Sequence, residues 1–350
     1  MIIGACGFGS TGSSAVSDYL QEFNDFQVLD SQEFTWVSGV DGLIDLDYHL
    51  NHPHMRTGDS IYALHRFENR VKATIRTYER KYGKGKEFEE SAYRFIDAIT
   101  QLKWNWYINE SGGFYEKYVK KLLFQKRIIL PIERKLKRQI NCYPMKEVRF
   151  SVMPENFEES ARTHIKELLA IMGATFEKPI VLDQPFSGNN PQASFKFFDD
   201  PYAIVVDRDP RDNYVFANTR LVGRVSHFMP IQPVEDFVKY YRALRDNQPY
   251  KQKSDRILSV KFEDMVYHYN ETTKKIRDFL HLPENPNPKS IFNPAVSMPN
   301  TQVWKRFPQY VKDIEYIEKE LKEYLFDYTG CPEPDPDGKM FNGKASKRSK

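Results

Sequence analysis

Ile2-Ile-Gly-Ala-Cys-Gly-Phe-Gly-Ser-Thr-Gly-Ser-Ser14 is the stretch that decides the fold. A short apolar run of Ile2, Ile3 and Ala5 ends at Gly7. A glycine- and hydroxyl-rich loop follows, and Val16, Tyr19, Leu20 and Phe23 then recur at helical spacing. The pattern is strand, loop, helix. A loop in that place turns backbone N–H groups toward one point, and the helix N-terminus adds partial positive charge. Glycines let the backbone approach an anion closely, and Ser13 and Ser14 add hydroxyl donors. The spacing predicts a phosphate-binding loop over Gly7–Ser14; a plain Gly/Ser turn is the bland alternative. It is not a Walker A loop, because no lysine precedes Ser13 to reach a β- or γ-phosphate. That absence counts against magnesium-dependent ATP chemistry.

Outward from the loop, Phe26–Leu29 predicts a second strand leading to Asp30-Ser-Gln-Glu33. Residues 42–150 are rich in Tyr, Arg and Lys and carry helical patterns such as Tyr93, Ile96, Ala98 and Ile99, so they read as a largely helical insertion. Val148, Phe150 and Val152 alternate as in a strand. Ile165, Leu168, Leu169 and Met172 form an amphipathic helix that Gly173 can end. Ile180-Val-Leu182 and Tyr202-Ala-Ile-Val-Val206 are continuous apolar runs of the kind found in buried parallel strands. The second run leads into Asp207-Arg-Asp-Pro-Arg-Asp212, where Asp209 can cap a helix and Pro210 fits its first position. Ile257–Phe262 reads as a further strand, followed by a helix carrying Ile276, Phe279 and Leu280. Residues 283–299 read as loop, 311–326 as a charged helix, and 332–350 as a disordered tail. Strands alternating with helices give the expected class: α/β, a doubly wound parallel sheet flanked by helices, in one domain over 1–331.

Composition bounds the function. The chain has 350 residues and a formal net charge of only +3, too even to argue for nucleic acid. Cys6, Cys142 and Cys331 are too few, and too irregularly spaced, for a disulfide framework or a zinc site, so no metal is expected and a reducing compartment fits. No apolar run is long enough for a membrane span. The first residues read as a strand and not as a leader, and the expected location is cytoplasmic.

Arg208 falls at the carboxyl end of a buried strand, where open α/β sheets bind ligands. A guanidinium there is a phosphate fork; a salt bridge to Asp209 or Asp212 is the alternative. Taken together, the segments resemble the PAPS-dependent sulfotransferases, closest in style to the bacterial and carbohydrate enzymes. Gly7–Ser14 resembles their 5′-phosphosulfate loop and Val205–Asp212 their 3′-phosphate motif. Val260-Lys-Phe-Glu-Asp-Met-Val266 with Thr273–Leu282 is similar to their late strand–helix segment, and Asn300-Thr-Gln-Val-Trp-Lys305 to the segment that closes over the nucleotide. The order agrees over nearly the whole chain, with 42–150 unmatched.

The resemblance implies a P-loop-type sheet. It also implies transfer of a sulfuryl group from 3′-phosphoadenosine 5′-phosphosulfate (PAPS) to an acceptor hydroxyl by in-line displacement, with PAP as product. It implies that Gly9, Ser10, Thr11, Gly12, Ser13, Ser14, Arg208 and Lys305 hold the nucleotide, and that Glu33 is the general base, with Asp30, Asp41 and His65 as competitors. Two positions depart from the family. Ser10 stands where a Lys or Arg is usual, leaving Arg56, Arg66, Lys196 or Lys305 to supply the cation. Phe216 stands where a phosphate-binding Ser is usual, leaving Tyr214, Asn218 or Thr219 to replace it. Trp36, Trp104, Trp106 and many tyrosines among basic residues suit a carbohydrate acceptor, against a lipid, sterol or small phenol. The basic clusters Lys117–Lys121 and Arg134–Arg138 read as solvated helix faces. The expected partners are a small molecule or glycan, with no nucleic acid and no stable membrane insertion. The competing readings are a kinase-like nucleotide-dependent transferase and a decayed nucleotide- or glycan-binding protein.

Overall fold

A computed structural model describes residues 1–29, 33–52, 58–107, 123–138, 140, 145–221, 229–246 and 254–340. Its strands are β1 Ile2–Gly7, β2 Gln27–Val28, β3 Leu102–Tyr107, β4 Met145–Phe150, β5 Ile180–Asp183, β6 Pro201–Asp207 and β7 Ile257–Lys261. Its helices of six residues or more are α1 Ser14–Leu20, α2 Leu43–Asn51, α3 Gly58–Tyr82, α4 Gly85–Ile99, α5 Leu130–Leu136, α6 Phe157–Ile171, α7 Pro210–Phe216, α8 Val234–Asp246, α9 Phe262–Tyr267, α10 Tyr269–Leu280 and α11 Val311–Glu320. The chain divides into two compact units, residues 1–38 with 172–350, and residues 39–171.

The first unit is built on a five-stranded sheet in the order β2-β5-β1-β6-β7, parallel throughout. Its apolar runs lie where their composition puts them. Ala203, Ile204, Val205 and Val206 are all buried, as a strand with helices over it requires. Ile3, Ala5, Val181, Ile204, Val206 and Val260 pack with Val16, Tyr19 and Leu20 of α1 and with Met265, Ile276 and Leu280 of α9 and α10. Each Val, Ile, Leu or Met among them contributes about 1.5–3 kcal/mol of transfer free energy. A second cluster joins Tyr214 and Val215 of α7, Phe237 and Tyr241 of α8, and Ile314 and Ile317 of α11. β1 sits centrally, with β5 on one side and β6 on the other. The order therefore reverses at β1, and the loops beyond the carboxyl ends of β1, β5 and β6 border one crevice. Residues 332–340, read from composition as the start of a tail, make contacts: Arg306 donates to the Gly338 carbonyl at 3.0 Å and Gln302 to that of Pro332 at 3.3 Å.

The second unit holds α2 to α6 and the antiparallel pair β3–β4, in which Leu102 faces Phe150 and Tyr107 faces Met145. Phe95 of α4 is its hub. Its ring meets Phe67 of α3 edge-on at 5.6 Å and Phe157 of α6 at 5.8 Å, and stacks on His164 at 5.4 Å. Among the described residues no helix is long and apolar enough to cross a membrane.

Candidate nucleotide site

β1 delivers the chain into the loop, and three residues turn it back with positive φ: Gly9 at 87°, Ser10 at 57° and Gly12 at 90°. Glycine is required at Gly12 for a second reason, since a Cβ there would lie 2.6 Å from the Phe262 ring. The loop is braced from several sides. The Thr11 hydroxyl accepts from the Phe8 amide at 3.2 Å. Gln184 accepts from the Gly7 amide at 3.3 Å and donates to the Ser13 hydroxyl at 2.8 Å, and Asn213 donates to the Gly9 carbonyl at 3.2 Å. Among the described residues, none accepts from the amides of Gly9, Ser10, Thr11, Gly12, Ser13 or Ser14. Six consecutive amides held in fixed geometry without acceptors make a nest for an anion.

The loop forms one wall of a cavity of about 780 Å³, within the range of small-molecule sites. Gly7, Ser10, Gly12, Ser13 and Ser14 line it on one side, and Gln184, Phe186, Ser187 and Gly188 come from the loop after β5. Arg208, Phe216, Phe262 and Asn300 also line it, Arg208 and Phe262 directly beside the loop, and Glu33, Asp18 and Asp183 reach it too. Gly188 passes so near β1 that a Cβ there would lie 2.3 Å from the Gly7 carbonyl oxygen.

Arg208 is 4% exposed. It donates through Nη1 to the Ser10 carbonyl at 3.3 Å and through Nη2 to the Asn300 carbonyl, while its Nε is buried without a partner. A guanidinium has five donors, so three are left over. The rings of Phe262 and Phe216 lie 5.3 and 5.9 Å from its central carbon. Among the described residues no carboxylate pairs with it, so the salt bridge weighed from sequence does not form. Asp212 and Glu263 act on Arg208 only through space, and an anion arriving in the cavity would meet its unused donors directly. The turn's other arginine does the structural work: Arg211 is ion-paired with Asp209 at 2.7 Å and Glu318 at 2.8 Å, and lies 3.9 Å over the Trp304 ring. Asp209 caps α7 by accepting from the Arg211 amide, and Asp212 accepts from the amides of Gln302 and Val303.

Under the turn, burial pushes the Glu263 carboxyl up to about 8, with Asp209 and Asp212 adding to the shift. Its Oε1 accepts from the Asp209 amide at 3.0 Å and its buried Oε2 has no donor. Asp212 is pushed up to about 7 by burial, against the pull of Arg208.

The other positions singled out from sequence lie as follows. Glu33 is exposed on the cavity wall and, among the described residues, has no hydrogen-bond partner. Thr11 is buried behind the loop. Lys305 is exposed and paired with Glu333 at 2.6 Å. Asp41 and Arg66 pair with each other at 2.9 Å in the second unit, which also holds His65 on α3. Lys196 lies over the Phe197 ring at 5.3 Å. Asp30 and Arg56 lie outside the described residues. Tyr214 donates to Asp313 at 2.7 Å, while Asn218 and Thr219 bond back to the carbonyls of Tyr214 and Val215. Arg208 is the one cation among the described lining residues. Sequence reading missed Gln184, Gly188, Asn213 and Phe262. The usable signal for the first two was a Gly/Ser/Asn-rich loop directly after a buried strand.

No family model matches this chain, and no curated protein matches it. Among solved structures, it is similar to the sulfotransferase domain of the olefin synthase of Synechococcus PCC 7002, at 13% identity over 93% of this chain and 95% of that one, with a TM-score of 0.40. It is similar to the sulfotransferase STF1 of Mycobacterium tuberculosis at 14% identity over 92% and 76% of the two chains, TM-score 0.37. It is also similar to a retinol dehydratase solved with androsterone and the inactive cofactor PAP, at 13% identity over 94% and 82%, TM-score 0.33. These are distant likenesses, at low identity and low structural overlap.

Proposed function

We propose that the chain is a PAPS-dependent sulfotransferase acting on an acceptor hydroxyl, with a carbohydrate as the preferred acceptor class. The observation that carries this reading is the pairing of two anion positions in one cavity. One is the nest of free amides at Gly9–Ser14. The other is the buried Arg208 with three donors left over. PAPS carries anions at both ends of its nucleoside, a 5′-phosphosulfate and a 3′-phosphate. The four motifs that resemble sulfotransferase segments fall in unit 1, and two of them supply these two positions.

The residues fit the group. Cβ atoms at Gly12 and Gly188 would close the space against Phe262 and Gly7, and an orphaned guanidinium nitrogen of Arg208 lies beside the loop. When bound, PAPS supplies an activated sulfuryl group. The chain's own part is to hold the 5′ end on the loop amides, fix the 3′ end at Arg208, and accept the acceptor's hydroxyl proton at the Glu33 carboxylate. A carboxylate on the wall, reached by solvent and not engaged elsewhere, is free to take that proton. Lys305 belongs to this reading only if it leaves Glu333 when nucleotide binds.

Calorimetric titration with PAP in EDTA, beside ADP and ATP with and without magnesium, tests the reading. Micromolar, metal-independent PAP binding with weak ADP binding is expected. Tight magnesium-ATP binding with no preference for PAP would overturn it in favour of a kinase-like enzyme. Binding of none of these would favour a decayed site.

A further inference from the structure

The helical run 123–136, a π-helical turn Gln125–Ile129 leading into α5, buries none of its residues. That is unlike the other long helices of its unit. α4 buries Phe88, Ala92, Phe95, Ile96 and Ile99, and α6 buries Ile165, Leu168 and Leu169. Yet 123–136 is no less apolar. Phe124, Ile128, Ile132 and Leu136 follow one another at spacing four, the spacing that places side chains on a common face. They are 52%, 45%, 40% and 60% exposed. With Leu123 they make up five of the twelve large apolar side chains exposed among the described residues, gathered on one short element. Scattered exposed leucines need no explanation; a contiguous row of them does.

The charge beside the row names the partner. Residues 123–138 hold six cations, Lys126, Arg127, Arg134, Lys135, Lys137 and Arg138, against the single anion Glu133. This one segment carries more net positive charge than the whole chain. Among the described residues no carboxylate pairs with any of the six, and Glu133 itself accepts from the Ile140 amide at 2.7 Å. A helix joining an exposed apolar row to unneutralised cations has the make-up of one that lies in the interface plane of an anionic bilayer, rows of acyl chain under the apolar side and lipid phosphates at the cations. We propose that the helix 123–136 docks the protein peripherally on an anionic membrane surface. The apolar row enters the headgroup boundary, and Lys126, Arg127, Arg134 and Lys135 face lipid phosphate. The mode is attachment and not spanning, since the run is far short of the roughly 20 apolar residues a span needs.

Co-sedimentation of the full chain with vesicles of phosphatidylcholine alone, or mixed with phosphatidylglycerol, tests this. Binding to the mixed vesicles only, released by raised salt, is the expected result. Replacing Lys126, Arg127, Arg134 and Lys135 together by Gln should lower partitioning by about a hundredfold or more, since each cation near such a surface is worth roughly fivefold. Ile128→Ser with Ile132→Ser should weaken it as well. All these positions are exposed, so thermal melting should not change. Phe124→Trp gives a reading that needs no loss of charge: its emission should shift to the blue with mixed vesicles and stay unshifted with phosphatidylcholine. No partitioning, equal partitioning to both vesicle types, or a Trp emission that never shifts would overturn the proposal. So would a concentration-dependent dimer, without vesicle binding, that Ile128→Ser with Ile132→Ser dissolves, for the row would then join two copies of this chain.

Discussion

At the scale of single residues the site turns on how few charged groups face the cavity and how differently they are held. Arg208 is buried between two phenylalanine rings and two carbonyls, with no carboxylate in direct contact among the described residues. Arg208→Ala should weaken PAP about 10- to 100-fold, the scale of a charged hydrogen bond, and leave adenosine 5′-phosphosulfate, which lacks the 3′-phosphate, nearly unaffected. Calorimetry on the two ligands checks this, and an equal loss for both would remove Arg208 from the 3′ end. Glu33 is the opposite case, exposed and with no partner among the described residues. Glu33→Gln should lower turnover at least about a hundredfold while PAP affinity survives, because the substitution keeps the shape and removes only the proton acceptor. Single-turnover sulfation assays separate the two quantities, and near-normal turnover would remove Glu33 from the role. Phe216, at the position where the resemblance implies a serine, instead sets its ring 5.9 Å from the Arg208 guanidinium.

At the scale of elements, sequence legibility follows a physical divide between local and long-range causes. β6 and its turn were readable because a continuous buried run and a cap-proline pair are local signals, and the structure places Asp209 and Pro210 at those positions of α7. The strand end pointed to Arg208 as the arginine at the cavity, which it lines, but the place of Arg211 was not readable. Arg208 and Arg211 share one turn; Arg211 pairs locally with Asp209, and Glu318 and Trp304, more than ninety residues away, complete its place in the scaffold. β2 is only two residues, Gln27–Val28, at the sheet edge beside β5. For the wall after β5 the Gly/Ser/Asn-rich loop was a local signal, but nothing local announces that Gly188 will pass against Gly7. That approach makes a test. In Gly188→Ala the new methyl would meet backbone, not a yielding side chain, so the phosphate loop must shift, and PAP affinity should fall about tenfold or more. Gly173→Ala is the control. It has φ of 102° with nothing within 4 Å, so it should lose stability of about 1–2 kcal/mol from backbone strain and keep its affinity for PAP. Equal affinity in the two variants would mean that the loop does not depend on the β5 wall.

At the scale of the whole molecule, the two units carry buried groups of opposite sign, which makes them respond to pH in opposite directions. In the first unit Glu263 titrates near 8 when folded and near 4.5 when free, because burial beside Asp209 and Asp212 disfavours its charge. The folded form thus holds a proton that the unfolded chain gives up. Stability from this group is full below about 4.5 and falls as pH rises toward 8, by up to roughly 1.4 kcal/mol per pH unit. Asp212 acts in the same direction. In the second unit His164 is 1% exposed, hydrogen-bonded to Ser91 at 2.8 Å, and held down to about 3 by burial and by the nearby Arg94. Here the unfolded chain takes up the proton first, so stability is full above about 6.5 and falls as pH drops toward 3. Hydrogen exchange followed peptide by peptide should therefore show 39–171 loosening toward acid and 1–38 with 172–340 loosening toward alkali. Glu263→Gln should flatten the alkaline fall by about one proton while leaving the acid response in place, because Gln keeps the acceptor for the Asp209 amide and cannot ionise. His164→Gln should do the converse, keeping a partner for Ser91. If either substitution flattened both limbs, or neither, the two units would not be titrating separately and the buried carboxyl beneath Arg208 would not be the protonated group.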